Sequence, residues 1–388
     1  MFLKKFSVKN FKNFKNTFTI DFSDVKDYHY STQCISQGLI KNAIIYGKNA
    51  VGKTNFGLAI ADITYHLVDK NGIAKSIINY CNADADSDVV SFAYVFQREH
   101  DEITYKYSKK TAKELVLEEL WLNDRLVFSF DYSKQTGDFS HLKEYQLDTL
   151  NWEFRDSGIS VLRYMANNLP LDGKNPVKEV MKFVSGMLWF RSLGNNNEFV
   201  GFSTVTESMA DYIIKNGFVH EFEEFLNTYG VHEQICAASQ ADGKKSLFFK
   251  HTRLVPFFEA SNGTCALLTF FYWYKQAEHI SFLFIDEFDA FYHYELAEKI
   301  VKLLEEKFPI QTILTSHNTG LLSNRIMRPD CYFLLLPDKI ISLANATDRE
   351  LREGYNLENL MKHGECKIVC VNRYCMNLLY APYWGKQR

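Results

Sequence analysis

The eight residues Gly47-Lys48-Asn49-Ala50-Val51-Gly52-Lys53-Thr54 constrain this chain more than any other stretch. They read G-x-x-x-x-G-K-T, and their neighbours stand in the order that the pattern requires. Before them, Asn42-Ala43-Ile44-Ile45-Tyr46 is a short apolar run of β-formers, which suits a buried parallel strand. After them, apolar residues from Phe56 to Ile63 recur at helical spacing. Gly47 and Gly52 permit the backbone conformations that turn successive N–H groups toward one point, and the helix adds its positive end. Lys53 would then reach the β- and γ-phosphates of ATP, with the Thr54 hydroxyl on Mg2+. Lys48, Asn49, Ala50, Val51 and Asn55 complete the set expected at the nucleotide.

Two further features fit that chemistry. Phe282-Leu283-Phe284-Ile285-Asp286-Glu287 is an apolar run followed by two acids, as expected of a buried strand whose carboxyl end meets the phosphate loop. Asp286 would hold magnesium directly or through water, and Glu287 would orient and deprotonate the attacking water. The strand expected next, Thr312-Ile313-Leu314-Thr315, ends in Ser316-His317, and a histidine there can contact the γ-phosphate. Ser261-Asn262-Gly263 opens a helix, either as a plain cap or as a second anion site; the sequence leaves both open.

With 388 residues, 46% of them hydrophobic, the chain can bury a substantial core. Lys and Arg total 44 against 47 Asp and Glu, so nothing in the global charge calls for nucleic acid, although a local basic face stays open. The N-terminus alternates lysine with apolar residues and has no signal-peptide core, and no stretch reaches a membrane span without charges. A cytoplasmic protein with no membrane partner is expected. Eight scattered cysteines read as reduced thiols. The cluster His363, Cys366, Cys370 and Cys375 matches no standard zinc spacing.

The chain divides into three expected parts. Residues 1–150 are the N-terminal half of an ATPase domain: a hairpin over 2–22, an irregular stretch over 23–41, the phosphate loop with its helix to about Val68, then antiparallel strands near 89–96, 103–107 and 115–120. Residues 151–235 read as an all-helical insertion, with one helix over 205–229. Residues 236–388 return to strands near 245–250 and 253–259 and to a helix from Ser261 to about Gln276. They continue as the acidic strand, a helix near 292–308, the strand 311–315 and a strand pair over 331–343. The fold class is α/β: a P-loop NTPase with a mixed sheet, an antiparallel β subdomain and an inserted helical subdomain.

These motifs, in this order, resemble the ABC-type ATPases of the SMC, RecF and overcoming-lysogenization-defect group. Phe6-Ser7-Val8-Lys9-Asn10-Phe11-Lys12-Asn13-Phe14 looks like the first strands of that group, and Glu259 to Thr264, Asp286 to His293, Thr315 to Asn318 and Leu351 to Glu358 extend the likeness. The likeness is strongest to stand-alone bacterial AAA-type ATP-binding proteins of anti-phage defence systems, and it leaves the middle of the chain unmatched. It implies an ATP-sandwich homodimer or higher homo-oligomer, in which Ser261 and Gly263 of one subunit complete the site of the other, with Asp289 near the seam. A glutamine-loop residue is implied too. Gln97 is a candidate, or an ordinary turn residue. No sustained heptads lie between Thr54 and Ser261, which disfavours a long coiled-coil arm. About 70 residues follow His317, too few for the nuclease domain of many overcoming-lysogenization-defect proteins, so a nuclease or toxin effector is expected on a separate protein.

Three functions compete. The first is an ATPase switch that controls such an effector, as the sensor of a defence system. The second is an ATP-assembled scaffold with negligible turnover, which Glu287 and His317 disfavour. The third is a RecF-like DNA-repair clamp, for which Lys4, Lys5, Lys9, Lys12 and Lys15 supply part of a basic face, unless they serve only to discourage strand pairing.

Overall fold

The computed structural model describes residues 1–68, 79–145, 147, 158–191, 199–201, 208–240, 243–251 and 254–362. The phosphate-loop strand Asn42–Tyr46 is buried along its whole length and lies inside a seven-stranded sheet. Across that sheet the order is Phe199–Gly201, Met187–Arg191, Phe282–Asp286, Gln311–Ser316, Asn42–Tyr46, Tyr332–Leu335 and Ile340–Ser342. The five inner strands run parallel and the two outer ones antiparallel. Strands buried on both faces read as unbroken apolar runs, which is why Phe282–Asp286 was recognisable.

A second seven-stranded sheet is wholly antiparallel, in the order Thr136–Asp138, Arg125–Asp131, Leu115–Leu122, Asp101–Lys109, Val90–Arg98, Phe2–Lys9 and Phe18–Asp21. Its strands alternate. Val90, Phe92, Tyr94 and Phe96 are buried, and the residues between them are partly exposed. The inner face covers the phosphate-loop helix Lys53–Ala61, whose Phe56 meets Phe6, Phe14 and Phe18 at ring-centroid distances of 5.9, 6.2 and 5.8 Å. On the other side of that helix, Gly57 lies so close to the parallel sheet that a Cβ there would stand 2.4 Å from Phe284 and 2.6 Å from Trp189. Gln311 ties the two sheets together, accepting from Leu3 N at 2.9 Å and donating to Leu3 O at 2.9 Å and to Ile40 O at 3.1 Å.

The end of the phosphate-loop helix is fixed by a buried polar network. Tyr94 donates its hydroxyl to the terminal carbonyls of Ala59 and Ile60 at 3.0 and 3.1 Å. Asp62, directly after the helix, accepts from Lys109 at 2.7 Å, Tyr107 at 2.9 Å and Tyr80 at 2.8 Å, with Asp62 and Lys109 both inaccessible. The network continues from His66 to Tyr105 and from Tyr105 to Glu118. Glu118 accepts the backbone N–H groups of Val161 and Leu162, which anchors the helix Val161–Asn168 to the antiparallel sheet.

The middle of the chain departs from the expectation of helices alone. The helices Val161–Asn168 and Pro176–Ser185 are present, but Met187–Arg191 is a strand pairing in parallel with Phe282–Asp286. Met-Leu-Trp-Phe is apolar at every position, and such a run has no period by which strand and helix can be told apart. The single helix expected over 205–229 is two, Met209–Lys215 and Val219–Thr228, broken where Gly217 takes φ 73°. Phe11 and Phe14, expected inside strands, instead close a turn by exchanging backbone hydrogen bonds of 3.0 and 2.8 Å. A three-stranded sheet, Ile235–Ser239, Lys245–Lys250 and Leu254–Pro256, precedes the helix Asn262–Lys275. His363 and the three cysteines clustered with it lie outside the described residues. Among the described residues no helix is long and apolar enough to cross a membrane.

Removing Asp62 alone would leave the Lys109 ammonium buried without its counter-charge. Asp62→Ala is expected to lower stability by about 3–5 kcal/mol in denaturant unfolding. Adding Lys109→Met should recover part of that loss, since no charge then remains buried alone.

Candidate active site

The carboxyl ends of the three neighbouring strands Phe282–Asp286, Gln311–Ser316 and Asn42–Tyr46 bring the sequence motifs to one place. Gly47 lies tight against Leu335, whose carbonyl would stand 3.0 Å from a Cβ at that position. Ala50 takes φ 63° and Gly52 φ 109°, so the loop passes twice through left-handed backbone. Asn49 and Ala50 are exposed at the tip of the loop, while Lys48 and Val51 are half-buried. The helix begins with Phe56 N donating to Gly52 O at 2.8 Å.

Thr54 donates its hydroxyl to Asp286 Oδ2 at 2.6 Å. Thr315, from the neighbouring strand, donates to Asp286 Oδ1 at 2.7 Å and accepts from Glu287 N at 2.8 Å. One threonine therefore aims the buried Asp286 carboxylate and holds the backbone that presents Glu287. Phe288 N donates to Thr315 O at 3.2 Å, a second fixing of the same turn. Glu287 itself takes φ 52°, a costly conformation for a residue other than glycine, and its Oε2 is buried without a partner. Burial, followed by the neighbouring Asp286, raises the Glu287 pKa, against the pull of Arg191 and Lys53.

Lys53 donates to Gly47 O at 2.9 Å and Lys48 O at 3.2 Å, curled onto its own loop. Burial lowers its pKa, while Asp286 and Glu287 oppose that fall. His317 is exposed at its strand end. Partial desolvation lowers its pKa first, then the charge of Lys53, with Asp286 acting in the opposite sense. Ser316 donates to Asp289 Oδ2 at 2.7 Å and accepts from Asn318 N at 2.9 Å, closing the turn beside the histidine.

Ser261 and Gly263 are not part of this cluster. The Ser261 hydroxyl caps the helix Asn262–Lys275, accepting from Thr264 N at 3.2 Å, and Gly263 packs against the Phe291 carbonyl, 2.9 Å from where a Cβ would sit. Gln97 lies near the end of the strand Val90–Arg98, away from this cluster. Its amide donates to Glu99 O and Asp101 O within its own hairpin, at 2.9 and 3.2 Å.

Three residues join the site that sequence reasoning gave no role. Thr315 was seen as a strand end. Asn13 donates to Val51 O at 3.0 Å and accepts from Asn55 at 2.7 Å, bracing the phosphate loop from the turn closed by Phe11 and Phe14. Arg191, at the end of the strand next to Asp286, has its Nε 3.7 Å from Asp286 Oδ2. Asn13 belongs to the stretch Phe6 to Phe14 but was given no role there, and no motif marks Arg191, since their roles depend on which segments become neighbours.

The residues fit a magnesium nucleotide. Thr54 and Asp286 offer two hard oxygen donors side by side, as magnesium prefers. The glycines leave space that side chains would fill, among the described residues Lys53 is satisfied by loop carbonyls alone, and the Glu287 Oε2 is buried without a partner.

Residues 43–323 match the family model described as "AAA domain, putative AbiEii toxin, Type IV TA system". Among solved structures, the chain is similar to the SMC head domain from Thermotoga maritima at 16% identity, covering 88% of this chain and 99% of that one, with a TM-score of 0.43. It is also similar to the Smc head domain of Pyrococcus furiosus bound to the C-terminal domain of ScpA, at 14% identity over 93% and 98% of the two chains and a TM-score of 0.43. For the Smc head domain with a coiled coil and joint from Pyrococcus yayanosii the values are 10%, 93%, 99% and 0.46. No curated protein matches.

The loop geometry makes two substitutions informative. An alanine at Gly52 would put its Cβ 2.4 Å from the Asn13 side chain and hold φ at 109°, so Gly52→Ala should abolish nucleotide binding. Asn13→Ala removes only the brace. Titration with a fluorescent ATP analogue should show affinity weakened severalfold with the thermal midpoint little changed.

Proposed function

The chain belongs to this AAA-domain family of P-loop ATPases, and from that premise we propose that it is an ATP-binding and ATP-hydrolysing switch that dimerises through shared sites and controls a separate effector protein. The observation that carries the reading is the chain of contacts Thr54, Asp286, Thr315 and Glu287, which joins a phosphate loop to a carboxylate with no partner of its own.

In this reading Lys53 leaves the carbonyls of Gly47 and Lys48 for the β- and γ-phosphates, while the loop N–H groups surround the phosphate oxygens. Thr54 and Asp286 hold the metal. A magnesium ion held by Thr54 and Asp286 would supply neutralising positive charge beside the phosphates. Glu287 accepts a proton from the attacking water, and its raised pKa improves it as a base. His317 touches the γ-phosphate and reports whether it is present.

A switch needs an energy difference between its two states, and γ-phosphate contacts made only in the closed form supply it. The dimer reading takes support from the exposure of Ser261 at a helix start, beside the exposed Leu254 and Phe258. There Ser261 and Gly263 would complete the partner's site, with Asp289 near the seam. The effector is a nuclease or a toxin, and the setting is bacterial anti-phage defence. The clamp reading loses part of its basic face, because Lys4 and Lys5 are paired with Glu102 and Asp21 at 2.6 and 2.7 Å.

ATP turnover and solution mass, measured together for the wild type and Glu287→Gln, test the proposal. The wild type should hydrolyse ATP, and the variant should lose at least about 100-fold in rate while accumulating as a larger ATP-bound assembly. Equal, negligible turnover and identical mass in both would remove the hydrolytic role of Glu287 and leave the scaffold reading.

A further inference from the structure

Arg191 ends the strand Met187–Arg191, in parallel register with Asp286. In-register residues of neighbouring parallel strands point to the same face, and Asp286 shows which face this is by reaching Thr54 of the phosphate loop. Among the described residues the buried Nε of Arg191, whose side chain is otherwise 36% exposed, has no hydrogen-bond partner; its distance of 3.7 Å to Asp286 Oδ2 is too long for one. A buried donor left unmatched is costly, and a guanidinium is built to meet planar or tetrahedral oxyanions with several N–H groups at once. Among the described residues, the ion partner of Arg191 is Asp286, the carboxylate that a bound magnesium ion would claim. Loading of the site would therefore free the guanidinium for another anion.

We propose that Arg191 is a substrate-contacting residue of the ATP site, which moves from Asp286 to a γ-phosphate oxygen when the magnesium nucleotide binds. This rests on the ATPase reading above and adds to it a second group, besides His317, that distinguishes a nucleoside triphosphate from a diphosphate. The position is unusual in origin. It comes from the strand next to the acidic one, whereas Lys53 comes from the phosphate loop, so the triphosphate would be held from two elements that differ in their attachment to the rest of the fold.

The test is calorimetric titration of ATP and of ADP, with Mg2+, into Glu287→Gln and into the same protein carrying Arg191→Ala or Arg191→Lys. The Glu287→Gln background prevents turnover during the titration. Arg191→Ala should weaken ATP binding about tenfold or more while leaving ADP within about twofold, and Arg191→Lys should fall between. Equal losses for the two nucleotides, or no loss for either, would overturn the assignment while leaving ATP binding itself intact. Failure of the Arg191-containing protein to bind either nucleotide would overturn the ATPase reading and this inference with it. Should Arg191→Ala unfold in a thermal melt, Arg191→Gln, which keeps a polar side chain there, is read by the same ATP-to-ADP ratio.

Discussion

The helix Lys53–Ala61 is gripped from both sides, and the rest of the structure depends on that grip. Phe56 enters an aromatic cage on the antiparallel sheet, and Gly57 lets Phe284 and Trp189 of the parallel sheet approach to where any side chain would collide. The far end is held by Tyr94 and by the ion pair of Asp62 with Lys109. A helix so confined cannot slide to meet a ligand. Its N-terminal N–H groups are set in place before any phosphate arrives, which spares the binding step the cost of ordering them.

What stays adjustable is at the tips of the strands. Lys53 is satisfied by loop carbonyls, and Arg191 leans on Asp286 without a hydrogen bond. Glu287 stands in left-handed backbone with one carboxylate oxygen unmatched. Each of these is a local cost borne by a rigid scaffold, which is where strain and unsatisfied groups persist in proteins that use them. Thr315 is the link between scaffold and tips, because its single hydroxyl serves both the Asp286 carboxylate and the Glu287 amide.

Much of this was legible in the sequence for a physical reason. The phosphate loop, the acidic strand and the Ser316-His317 corner are local patterns in which backbone demands and chemical demands fall on adjacent residues. The P-loop NTPase fold followed from their order. The strand Met187–Arg191 was not legible, because an apolar run buried on both faces carries no period. With that strand unread, Arg191 could not be put beside Asp286, since register across a sheet is a property of pairing and not of spacing along the chain. Asn13 was hidden in the same way, 38 residues from the Val51 carbonyl that it holds.

The two sides of the site also differ in how they are tied to the rest of the protein. The phosphate loop is fastened to the antiparallel sheet through Phe56, Asp62 and Asn13, and that sheet carries the helix Val161–Asn168 through Glu118. The acidic strand and Arg191 belong to the parallel sheet. The loop also grows out of Asn42–Tyr46 of that same parallel sheet, so a triphosphate held by Lys53 on one side and by Arg191 and Asp286 on the other would join strands of the sheet that are not neighbours. Loss of the γ-phosphate would then release a tie across the carboxyl edge of the parallel sheet and not merely a contact within a loop, and a change of that kind can be felt at the surface of a fold this tightly packed.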